Sequence, residues 1–120
     1  MRILGVKKKW DKLKEPSFTT FRFARKDKDW QMDEIVQVVY KPRSKEREIL
    51  GPAKIKDKSP RIFDSSRTFS HYLITNPEVQ ADGFSSYQEM MDWFYKQYGE
   101  RIFREPINKL TLKWNGGKNG

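Results

Sequence analysis

The stretch Phe18-Thr19-Thr20-Phe21-Arg22-Phe23 has the alternation of a β-strand. Successive side chains on a strand point to opposite faces, so Phe21 and Phe23 share one face with Thr19, while Thr20 and Arg22 share the other with Phe18. The first face reads as core. On the second, a hydroxyl lies two residues from a guanidinium. That arrangement can hold an anion or a planar polar ligand, because arginine presents a fixed fork of donors. The same residues also fit a plain sheet face on which Arg22 is solvated or paired with a carboxylate.

Working outward, Met1 to Pro16 joins a short apolar lead to Lys7-Lys8-Lys9 and Trp10, enough for a short strand and a helical turn. Ala24 to Asp29, with Arg25, reads as an exposed loop, and Trp30 at its end either as a surface for base stacking or, more commonly for a tryptophan beside a loop, as a core anchor. Glu34 to Tyr40 is a strand with only Gln37 polar after Glu34, as expected where both faces are covered. Arg47 to Lys56 is another, in which Pro52 requires an edge or a bulge. Lys41, Arg43, Lys45 and Arg47 crowd the hairpin loop between the two.

From Asp64 the pattern becomes helical. Asp64 or Ser65 would cap a helix carrying Phe69, Tyr72 and Leu73. Asn76-Pro77-Glu78 would restart one as cap, proline and acidic first turn, and Gly83 would close it in a left-handed conformation. Asp82 falls in the turn before the helix expected over Ser85 to Tyr98, whose face Tyr87, Met90, Met91, Phe94 and Tyr98 reads as core, and Gly99 stands at its C-terminal end. A last strand is expected over Ile107 to Trp114. Strands, then helices, then one closing strand predict an α+β domain with a small, barrel-like sheet and flanking helices.

A chain of 120 residues fits one domain, here 1–114, followed by a disordered tail over 115–120. There is no cysteine, hence no disulfide, thiolate metal site or cysteine nucleophile. His71 is the only histidine, which leaves little for a metal site or a serine triad, and no phosphate loop or dinucleotide fingerprint is present, so no cofactor is expected. No apolar run approaches a membrane span, and the expectation is a soluble, cytoplasmic protein. The net charge of +9 is lopsided: residues 1–61 carry 18 Lys and Arg against 9 Asp and Glu, and residues 62–120 carry 7 against 7. A basic half suits a polyanion, since neutralising phosphates releases counterions.

Thr20-Phe21-Arg22, the acidic Asp33-Glu34 before a strand, Leu50-Gly51-Pro52-Ala53-Lys54-Ile55, and Asp82-Gly83-Phe84-Ser85 followed by Trp93-Phe94 and Tyr98-Gly99 together resemble the ASCH domain family of the PUA-like superfamily. The resemblance spans roughly residues 16–114. It implies a small PUA-like β-barrel with flanking helices, and a cleft in which Thr20, Arg22, Asp82 and Ser17 meet a base or nucleoside of RNA. Arg25, Lys41, Arg43, Lys45 and Arg47 are then expected on a rim that holds phosphates. Some bacterial members are amidohydrolases acting on acetylated cytidine, with a lysine three residues before the threonine and a glutamate as the acid; Ser17 and Asp82 stand in those places here. Ribonuclease activity is also attributed to the family. The expectation is a non-catalytic RNA-binding module, with the hydrolase or ribonuclease as the alternative.

Overall fold

The computed structural model describes residues 1–63 and 73–115. The elements in order are β1 (Arg2–Val6), a 3₁₀ turn (Asp11–Lys14), β2 (Ser17–Arg22), β3 (Ile35–Tyr40), β4 (Glu48–Arg61), α1 (Asn76–Asp82), α2 (Tyr87–Tyr98), α3 (Arg101–Arg104) and β5 (Ile107–Trp114). The fold is α+β. The five strands form one sheet in the order β1-β3-β4-β5-β2, with β1 and β3 parallel and the other neighbours antiparallel. Among the described residues the expected barrel is not closed by hydrogen bonds: β1 and β2 are the edges of the sheet.

Both faces of β2 are covered. Phe18 joins a core with Leu4, Val36, Ile55 and Leu112, whereas Phe21 and Phe23 join a second core with Val79, Phe84, Met90 and Ile107. The face that carries Thr20 and Arg22 therefore begins as core at Phe18 and turns polar only toward the end of the strand. Trp30 is buried in the first core, as expected of an anchor.

Pro52 lies in a central strand opposite Gln37, beside the expected irregularity: Val38 faces Gly51 and Val39 faces Ile49, leaving Leu50 as the extra residue. A second bulge leaves Lys56 unpaired between Ile55 and Asp57, and β4 continues to Arg61, five residues past its expected end. That extension has no apolar alternation to announce it. It is held by the ladder to β5 and by ion pairs from Lys58 to Asp29 and from Arg61 to Glu78.

Thr75, not Asn76, caps α1: its hydroxyl accepts from the Glu78 N–H while the Glu78 carboxylate accepts from the Thr75 N–H, and Asn76 and Pro77 fill the first turn. Ser86 caps α2 by accepting from the Glu89 N–H, and Gly99 ends it. The short α3 was not anticipated; four residues give no readable periodicity. The expected helix over 64–72, with His71, lies outside the described residues, as does the tail over 116–120; Leu73 bridges Ile62 as extended chain.

Glu78 ties α1 to the sheet, with Lys109 at 2.7 Å and Arg61 at 2.8 Å. Burial acts to raise its carboxyl, but hydrogen bonds from Arg61 and Lys109 outweigh that and hold the pKa at about 2. A carboxyl depressed on folding adds stability above its unfolded value, and that stability drains away as pH falls through the folded value. The contribution, on the order of 3 kcal/mol at neutral pH, is expected to disappear between about pH 4.5 and 2. Denaturant melts across that window should show the loss, and Glu78→Gln should flatten it; an unchanged slope in the variant would assign the acid sensitivity elsewhere.

Candidate functional site

Thr20, Arg22 and Asp82 do meet. They line one cleft of about 580 Å³ together with Val6 of β1, Trp10, Lys12, the Lys41–Ser44 loop, and Phe84, Trp93, Gln97 and Tyr98 from the helical side. Both edge strands contribute to this one space, so the sheet curls far enough to bring its unpaired edges around it.

Asp82 is the last residue of α1 and is almost fully buried. A carboxylate there is disfavoured twice, by desolvation and by the negative end of the helix dipole. Lys12, from the 3₁₀ turn, compensates: its Nζ donates to Asp82 Oδ1 at 2.5 Å, with the two side chains 10% and 5% exposed. Burial pushes the Asp82 carboxyl up and the Lys12 ammonium down, each opposed by attraction to the other. The pair is thus ion-paired but less firmly charged than an exposed one.

Arg22 differs. Its Nε donates to Thr20 Oγ1 at 3.2 Å, while its two terminal nitrogens have no hydrogen-bond acceptor and no carboxylate within ion-pair distance among the described residues. Burial lowers its pKa, with attraction to Tyr98 and Asp82 opposing the shift. Arginine remains cationic under such conditions. The cleft therefore holds a half-buried fork of donors with no acceptor among the described residues.

The wall is aromatic. Trp10 packs on Phe84 at 5.1 Å and on Trp93 at 5.5 Å. Gly83 allows this approach: a Cβ there would lie 2.6 Å from Trp10 Cε3, and its φ of +109° is one that side chains with a Cβ rarely adopt. Gly83→Ala is expected to cost about 1–2 kcal/mol from the backbone alone, plus displacement of Trp10. Thermal melts would measure the first effect and the Trp10 indole signal the second; a variant with unaltered melting would mean that the turn relaxes freely.

Not every expected residue arrives. Ser17 sits exposed at the far end of β2, paired in register with Lys113, and does not line the cleft. The strand alone explains this, since three residues of β-chain span roughly 10 Å. On the rim, Lys41 and Arg43 line the cleft, with Lys41 held by Glu46 at 2.7 Å. Lys45 and Arg47 are exposed on the same loop without lining it. Arg25 is elsewhere, bound to Asp27 and stacked over Trp30. Tyr98, read as core, is 38% exposed and opens onto the cleft.

Lys12 and Gln97 escaped the sequence reading, which has Lys7 and Trp10 in the N-terminal lead without placing them in the cleft. Lys12 lies in a short turn with no periodic signal, and only its contact with Asp82, seventy residues away, gives it a role. Comparison with protein-family models, with curated proteins and with solved structures gave no match.

Proposed function

We propose that the chain is an RNA-binding module of the ASCH type, with a PUA-like sheet curled around a cleft that accepts one base. The reading is carried by Arg22, a half-buried cation lining the cleft whose terminal donors find no protein acceptor among the described residues. Such a group costs stability unless a ligand completes it. A base edge supplies acceptors matched to a guanidinium fork, and Trp10 and Trp93 line the cleft with aromatic surface against which a base can pack. Lys7 and Arg43 at the mouth then meet the backbone phosphates.

Single-stranded RNA should accordingly bind with a log affinity that falls against log salt at roughly −0.7 per phosphate contacted. Filter binding or anisotropy across a salt series measures the slope. A flat response would remove the phosphates from the account.

A second reading is favoured by one observation. The amine that Ser17 cannot supply is present as Lys12, which reaches the cleft from the 3₁₀ turn and pairs with Asp82. Amine, hydroxyl and carboxylate then line one cleft, as an amidohydrolase acting on acetylated cytidine would need. Incubation with acetylated cytidine tests it: release of cytidine and acetate that is lost in Thr20→Ala and in Lys12→Ala would replace the binding reading by the enzymatic one.

A further inference from the structure

We infer that the cleft selects a nucleotide bearing a terminal phosphate monoester, either a free mononucleotide or the phosphorylated end of a strand, over an internal nucleotide. The inference rests on the base-binding reading above and adds to it the identity of the anionic group.

The charge count in the cleft carries it. Among the described residues, five cationic side chains line the space, Lys7, Lys12, Arg22, Lys41 and Arg43, and Asp82 is the only carboxylate that does. Two of the five are neutralised, Lys12 by Asp82 and Lys41 by Glu46. Lys7, Arg22 and Arg43 have no carboxylate within ion-pair distance among the described residues. With Arg22 facing the base, Lys7 and Arg43 remain, and two uncompensated cations at one mouth are more than an internal phosphodiester with a single negative charge can balance. A phosphate monoester carries between one and two charges near neutral pH and offers three acceptor oxygens.

Size points the same way. About 580 Å³ holds one nucleotide-sized ligand but no run of stacked residues. Lys41 and Arg43 sit on the β3–β4 loop, and that loop is seated against β1, where Pro42 Cγ would be 2.9 Å from a Cβ on Gly5. The backbone that carries the cationic side of the mouth is thus packed on the sheet. A single nucleotide with its base between Trp10 and Arg22 would present its phosphate to that side.

Titration calorimetry with four nucleosides, their monophosphates, and one short oligoribonucleotide with and without a terminal phosphate decides the matter. Monophosphates should bind about tenfold or more tightly than nucleosides, and the phosphorylated oligonucleotide more tightly than its hydroxyl counterpart. Both ratios should shrink with salt and approach one in the Lys7→Ala/Arg43→Ala double variant, whose substitutions are exposed and leave the core intact. If mononucleotides show the preference and oligonucleotides do not, the source is the free nucleotide; the reverse makes it a strand end. Equal affinity for nucleosides and monophosphates, or for the two oligonucleotides where mononucleotides do not bind, overturns this inference and leaves base binding standing. Absence of binding by every probe overturns both.

Discussion

Asp82→Ala is expected to lower stability by about 3–5 kcal/mol at neutral pH, because it strands the Lys12 ammonium in a buried site with no counter-charge. The loss is bounded, since Lys12 can shed its proton on folding. A lysine neutral in the folded state and charged in the unfolded one makes the unfolded chain the better proton binder, so the variant's stability should climb as pH rises toward 10. Replacing both partners, as in Lys12→Met/Asp82→Leu, should recover most of the loss, because the pair's cost lies in the charge left behind more than in the contact removed. Chemical denaturation at two pH values, on the single and double variants, measures both effects. A single variant that is no less stable than the parent would mean the ammonium reaches water without rearrangement.

Arg22→Met should do the opposite to stability and more to binding. The guanidinium is half-buried and only its Nε is hydrogen-bonded within the protein, so an apolar side chain of similar length is expected to raise stability by roughly 1 kcal/mol. Two charge-assisted hydrogen bonds to a ligand would vanish with it, which corresponds to about a hundredfold or greater loss of RNA affinity. A variant at once more stable and inactive is the mark of a residue kept for its ligand. Unfolding of Arg22→Met would instead make the guanidinium part of the fold.

Much of the architecture is legible in the chain because periodicity is a local property. The alternation of Phe18, Phe21 and Phe23, the Val36 to Val39 run, and the capped stripe of Met90 and Phe94 all specify elements that the structure contains. What stays hidden is set by distant contacts. The charged end of β4 is a strand because β5 lies beside it, and Lys12 belongs to the cleft only because the 3₁₀ turn packs against the end of α1. Ser17 shows the converse: close in sequence to Thr20, it is carried away from the cleft by the rise of the strand. Spacing along a motif locates a residue on an element, while membership of a site depends on which end of that element the site occupies.

The most direct test of the cleft is a proton–nitrogen correlation spectrum followed through titration with a short single-stranded oligoribonucleotide. The chain has four tryptophans, of which Trp10 and Trp93 line the cleft, while Trp30 lies in the buried core and Trp114 packs against it. Saturable movement of the Trp10 and Trp93 indole signals, with Trp30 and Trp114 nearly still and all four still in Arg22→Met, is the predicted result. Binding that moves Trp30 or Trp114 while Trp10 and Trp93 stay in place would contradict it.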